Sequence, residues 1–172
     1  MSEKIVGGIV GSLGSLISIP FMKEIIIFII SMCPILELRG GLIAASLLNM
    51  DPWVSYLICM IGNILPIPFI LWFINRILNW MRNSKNKKIN GIAKWLDKKV
   101  DKHKGQIEKF GYFGLILFVG IPLPGTGAWT GCLIASVLEM NKKKSFLCAI
   151  IGVFMASIIM MLLSFGILSN II

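Results

Sequence analysis

Residues 34–62 read PILELRGGLIAASLLNMDPWVSYLICMIG, and residues 124–152 read PGTGAWTGCLIASVLEMNKKKSFLCAIIG. Laid over one another at a spacing of 90 residues, without a gap, they share Pro34/Pro124, Gly41/Gly131, Ala45/Ala135, Ser46/Ser136, Leu48/Leu138 and Met50/Met140. The match continues through Ser55/Ser145, Leu57/Leu147, Ile61/Ile151 and Gly62/Gly152. Ten identities in 29 positions exceed what a shared apolar composition supplies. The chain therefore reads as two copies of one unit: a broken hairpin, a short polar link and a crossing helix.

Composition sets the solvent. Of 172 residues 56% are hydrophobic and 15% charged, with a mean hydropathy of +0.86; a soluble domain would carry about 25% charged residues. This is the composition of an all-α integral membrane protein, multi-pass in the cell membrane, with no room for a separate soluble catalytic domain. The 17 Lys and Arg against 8 Asp and Glu leave +9, and the apolar background assigns that excess to anionic lipid and not to nucleic acid. Cys33, Cys59, Cys132 and Cys148 lie in apolar stretches without a C-x-x-C pair, so they read as packing residues, and neither a metal nor a cofactor is implied.

A single membrane domain, residues 1–172, divides into four parts. Residues 5–22 form an N-terminal membrane helix with Gly7, Gly11, Ser15 and Ser18 along one side. It is retained, since no small-x-small cleavage site precedes Pro20, although eighteen residues would also suit a helix lying on the surface. Residues 25–80 form repeat one. Pro34, Glu37, Arg39, Gly40 and Gly41 interrupt its first apolar run, and a straight crossing would put both charges near the bilayer centre at roughly 2.5 to 3.5 kcal/mol each. Two short arms entering and leaving on one side avoid this. The span that follows carries Asn63, Pro66 and Pro68 near its centre, which either kink it or unwind it.

Residues 82–109 are the hydrophilic block, with ten Lys or Arg. Ile89, Ile92, Leu96, Val100, His103, Ile107 and Phe110 step by three or four, giving an amphipathic linker helix whose seam is expected to rest on the anionic headgroups of the cytoplasmic surface. His103 has no second His or Cys nearby and reads as a seam residue. Residues 110–172 form repeat two, whose first uncharged run breaks at Gly120 and Pro122 to Gly127. Lys142, Lys143 and Lys144 belong with the basic block inside the cell, whereas the equivalent first link holds Asp51 and no Lys or Arg. The two re-entrant hairpin repeats are thus inverted, the sequence pointer to a transporter-like site near the midplane.

The motif residues Pro34, Glu37, Leu38, Arg39, Gly40 and Gly41, then Gly62, Asn63, Pro66 and Pro68, then P-L-P-G-T-G-A-W-T-G over 122–131, resemble the small multi-drug export protein family. That resemblance covers most of the chain from about Ile25. The family in turn looks similar to the DedA, or SNARE-associated Golgi protein, superfamily, which has paired re-entrant hairpins and includes transporters of polyprenyl-phosphate lipids. Members often carry a further proline soon after the Arg-Gly pair; Leu42, Ile43 and Ala44 stand there instead, so the second arm is expected to be a more regular helix.

The candidate substrate and ion site comprises Glu37, Arg39, Gly40, Gly41 and Asn63 in the first copy, and Pro124, Gly125, Thr126, Gly127, Trp129 and Thr130 in the second. On a regular helix Glu37 and Arg39 would be about 200° apart and would not pair; in an unwound tip both can face a cavity. Trp129 takes the repeat position of Arg39, and the threonines add uncharged hydroxyls. A purely structural charge network joining the hairpins would use the same residues. No H-E-x-x-H, G-x-S-x-G or P-loop is present, so an enzyme is not expected. The expected function is a proton-coupled translocator of an anionic, phosphate-bearing lipid, working alone or as a homodimer. The alternatives are cation or multidrug export through Glu37, or a membrane scaffold.

Overall fold

A computed structural model describes residues 7–8, 21–84, 86–123 and 125–167; most of the helix expected over residues 5–22, and Pro124, lie outside them. Seven helices follow in order: α1 (Met22–Met32), α2 (Glu37–Leu47), α3 (Pro52–Ile64), α4 (Pro66–Arg82), α5 (Lys87–Gly120), α6 (Ala128–Val137) and α7 (Lys142–Met161), the last continued by a π-helical turn, Leu162–Ile167. Among the described residues there is no strand. Two stretches, Pro52–Arg82 and Lys142–Gly166, are long and apolar enough to cross a membrane.

Both spans start on side-chain caps at repeat-equivalent positions. Asp51 Oδ1 accepts from the backbone N–H groups of Trp53 and Val54, each at 2.9 Å, with Pro52 in the first turn. Asn141 Oδ1 accepts from the Lys144 N–H at 3.2 Å. These satisfy amides that no intrahelical carbonyl can reach. The prolines of the first span kink it and do not unwind it: Leu65 keeps right-handed helical angles and its N–H donates to the Ile61 carbonyl at 3.0 Å.

The second arms α2 and α6 end identically. Asn49 and Glu139 both adopt positive φ, 50° and 52°. Met50 N–H reaches back to the Ala45 carbonyl and Asn49 N–H to that of Ser46; Met140 and Glu139 do the same to Ala135 and Ser136. This is the Schellman pattern, which satisfies the last carbonyls of a helix while turning the chain sharply.

Two compact units result: residues 1–65 with 153–172, and residues 66–152. Each holds one hairpin, the first part of the span after it and the later part of the other span. In the first unit a Cβ on Gly41 would stand 2.7 Å from Cys59 Sγ and 3.1 Å from the Ile27 carbonyl oxygen, and one on Gly62 would stand 2.9 Å from the Phe28 carbonyl oxygen. In the second, Gly131 would meet Val119 at 2.7 Å and Leu115 at 3.1 Å, and Gly152 the Ile116 carbonyl oxygen at 2.9 Å. The first-arm partners are thus spaced by 88 residues (27 to 115, 28 to 116) while the second arms keep 90, so the second tip is two residues longer.

Each hairpin closes on itself. Lys23 Nζ donates to the Leu48 carbonyl at 3.1 Å, and Asn141 N–H donates to the Tyr112 hydroxyl at 3.1 Å, so the chain enters and leaves each hairpin at one end. Ser46 Oγ donates to the Ser164 carbonyl at 2.7 Å in the first unit; in the second, Ser136 Oγ donates to the Leu71 carbonyl at 3.3 Å and Asn75 Nδ2 to the Ser136 carbonyl at 2.7 Å.

Within α5 the chain reverses at Gly111, at φ 57° and ψ −131°, angles open to glycine and not to residues with a Cβ. The basic limb, 87–110, therefore folds against the arm 112–120. Part of its seam faces protein: Val100 and Ile107, with the neighbouring Ala93, are buried, so these residues pack the second unit. Ile92 and Phe110, at the seam's edge, stay exposed.

These contacts predict opposite outcomes for two helical glycines. Gly41→Ala should lower stability in detergent or lipid by about 1–3 kcal/mol, because Ser31, Cys59 and the Ile27 carbonyl must move. Gly105→Ala, with nothing within 4 Å, should raise it by about 0.5–1 kcal/mol. Thermal unfolding of the two variants measures the difference.

Candidate functional site

The first tip runs from Cys33 to Arg39. Cys33 leaves α1 with extended angles, its N–H donating to the Ile30 carbonyl at 3.1 Å, and Pro34 cannot continue the helix. The chain re-enters a helix when Glu37 N–H reaches the Cys33 carbonyl and Gly40 N–H the Leu36 carbonyl, each at 2.9 Å. Glu37 itself sits at φ 51°, a left-handed conformation that costs a residue with a Cβ roughly 1–2 kcal/mol. The Glu37 carboxylate acts electrostatically on the Arg39 guanidinium two residues on. Glu37 is 5% exposed and Arg39 half-buried, so the cation is the more accessible of the two.

Gly40 and Gly41 sit behind these charges and face protein, Gly40 against Leu36 and Ile30. Asn63, on α3 of the same unit, is 3% exposed, and its Oδ1 has no hydrogen-bond partner among the described residues. A buried amide oxygen without a donor is costly in an apolar span. α2 itself begins without a side-chain cap, leaving its N-terminal partial positive charge beside Arg39.

The second tip is organised by Thr126. Its hydroxyl donates toward the Ile121 and Leu123 carbonyls, both 2.9 Å away, and accepts from the Leu123 N–H at 3.2 Å. Gly127 then opens α6 at φ 139°, again without a side-chain cap. It is the repeat equivalent of Glu37, and both take a positive φ, but with different backbone angles: Glu37 lies near the left-handed helical region at φ 51°, whereas Gly127 is at φ 139° and ψ −177°. Thr130 is buried, and Trp129, in Arg39's place, is half-buried. Pro124 lies outside the described residues.

Sequence reasoning read His103 as a seam residue and did not place it beside the second tip. Its ring meets Phe118 edge-on at 5.5 Å between centroids, and a Cβ on Gly125 would stand 3.8 Å from its Nε2. Burial, then Lys102 and Lys99, hold its pKa below the ordinary histidine value. The available signal was its register between buried Val100 and Ile107. The second tip therefore approaches the lysine-bearing limb at His103.

A family model described as "Putative small multi-drug export protein" matches residues 37–159, more than half of the chain. The chain belongs to that family. Its matched region opens on Glu37, includes both second arms and ends within α7. Neither the curated proteins nor the solved structures include a match to this export-family chain.

Backbone geometry predicts a stability order at the paired turn positions. Glu37→Gly and Glu37→Ala both lose the carboxyl, but only alanine retains the left-handed strain, so the glycine variant should be more stable by about 1 kcal/mol. Gly127→Ala should lose a similar amount. Equal melting temperatures for the two Glu37 variants would remove the strain argument.

Proposed function

We propose that this export-family protein is a membrane transporter whose substrate is an anionic, phosphate-bearing lipid headgroup, with Glu37 carrying a coupling proton. The single observation that carries the reading is the difference in exposure of the two charges at the first tip: Arg39 is half-buried and Glu37 buried. A substrate reaching this tip meets a planar guanidinium, suited to two phosphate oxygens, and the positive end of an uncapped helix. Glu37 holds its strained backbone position although glycine serves in the other copy, which argues that its side chain is used. A buried carboxyl alternately neutral and ionised would relieve or restore opposition to the bound anion. No covalent step is required of any residue.

Re-entry of the hairpins is the topology we favour. Their arms have 11, 11 and, for α6, 10 residues, about 15 Å each and half of a hydrocarbon core of about 30 Å. That the ends of each hairpin meet supports a return to the side of entry. Asp51 then lies outside and Lys142 to Lys144 inside, which makes the copies inverted and the protein multi-pass in the cell membrane. The paired hairpins would make it a relative of the DedA superfamily. The basic limb beside the second tip indicates that water reaches that tip from the cytoplasmic side.

The family's description favours a second reading, drug export, in which Glu37 attracts a lipophilic cation. Two experiments separate these. Cysteines at Ser84 and Asn141 should react with an impermeant reagent from the cytoplasm only, and one at Asp51 from outside only; external labelling of Asn141 would end the re-entrant topology. In liposomes, Arg39→Gln should abolish movement of a polyprenyl phosphate, Arg39→Lys should weaken it, and Glu37→Gln should uncouple it from a pH gradient. Ethidium transport that survives Arg39→Gln, with no response to the phosphate lipid, would establish cation export instead. Failure to move either substrate would favour a scaffold.

A further inference from the structure

The basic limb, 87–110, has segregated its charges around its circumference. At about 100° per residue, Ala93, Val100 and Ile107 form its buried side. All three acids flank that side and are engaged there. Asp97 accepts from Arg82 Nε at 3.0 Å, Asp101 pairs with Lys104 at 2.9 Å, and Glu108 acts electrostatically on the same lysine. The outward sector holds no acid. Within about 60° of Trp95 stand Lys88, Lys98, Lys99, Lys102 and Lys109.

Three apolar side chains share that sector. Trp95, Phe110 and Ile92 are 56%, 55% and 52% exposed. Lys99 Nζ lies 5.4 Å from the centre of the Trp95 ring and Lys109 Nζ 5.4 Å from that of Phe110, so the cations ride on the aromatic faces. Nothing within the second unit buries these rings.

We propose that this outward sector, centred on Trp95, is a docking face for an anionic membrane surface. Lysines answer headgroup phosphates, while Trp95, Phe110 and Ile92 enter the boundary between headgroups and acyl chains, where indole rings and long basic side chains collect. Nucleic acid would meet the lysines and could stack on the rings but offers no apolar phase to Ile92. The face borders the seam that periodicity singles out and shares its exposed edge residues Ile92 and Phe110, while Val100 and Ile107 of that seam are buried. The inference rests on the membrane location of the protein and is independent of which substrate it moves.

The test uses the full chain reconstituted in vesicles, with the partly exposed thiols removed by Cys33→Ala and Cys148→Ala. A nitroxide is placed at Trp95→Cys, and in a second sample at Asp101→Cys. Collision of each label with a neutral, water-soluble nickel chelate is compared between phosphatidylcholine vesicles and vesicles that also contain phosphatidylglycerol. Anionic lipid should shield the label at 95 severalfold and leave the label at 101 unchanged. Each of Lys98→Gln, Lys99→Gln and Lys102→Gln should lower the docked-to-free ratio about fivefold at low salt, and high salt should release the intact chain. Equal collision rates at 95 in the two lipids would overturn the proposal, as would shielding that requires added RNA.

Discussion

Each hairpin depends on a glycine at the point where its second arm crosses its first. At Gly41 and Gly131 the neighbouring atoms stand too close for any Cβ. Between apolar helices in lipid no hydrophobic force favours association, so close packing of small residues has to supply it. Ser31, which faces Gly41, turns its hydroxyl back to the Ile27 carbonyl at 2.7 Å and so adds no unsatisfied polar group to the contact. Gly62 and Gly152 repeat the device where the spans meet the first arms. With those contacts made, the chain entering and leaving each hairpin is drawn to one end.

On that shared frame the two copies diverge at one place. Their second arms end on the same Schellman hydrogen bonds and their spans start on equivalent Asp and Asn caps. At the opposite ends of those arms, glutamate and arginine stand in one copy where glycine and tryptophan stand in the other. Gly127 takes a positive φ of 139° that suits glycine, and Glu37 takes one of 51° under strain with its side chain buried. Arg39 shares that tip, and two charged groups held where an apolar pair would be cheaper point to a role beyond packing.

The basic limb shows how one helix can be amphipathic twice. Its inner apolar seam is matched to protein, and its outer face combines aromatic rings with lysines after the acids have been drawn to the flanks. The reversal at Gly111 makes this arrangement possible, because it turns the seam back on the arm that follows. The same reversal carries His103 to the second tip.

The apolar composition, the two spans, the second arms and the charged residues of the first tip were legible in the sequence, since each depends on local character: hydropathy, proline and glycine punctuation, and ten identities at one spacing. The correspondence between the two first arms was not. Residues 22–32 and 110–120 correspond at a spacing of 88 without a single identity, because a glycine can be met by Ser31 as well as by Val119, and two extra residues in the second tip shift the alignment. Whether Pro66 and Pro68 unwind the first span was open until Leu65 kept its helical bond to Ile61. Periodicity identified the limb's seam but not its partner, for a period of 3.6 reports that a face is covered and says nothing of what covers it. The left-handed backbone angle of Glu37, rare for a glutamate, was likewise not legible. Sequence determined which residues could be buried and where the helices break; only tertiary packing, acting through close approach at a few glycines, decided which surfaces meet.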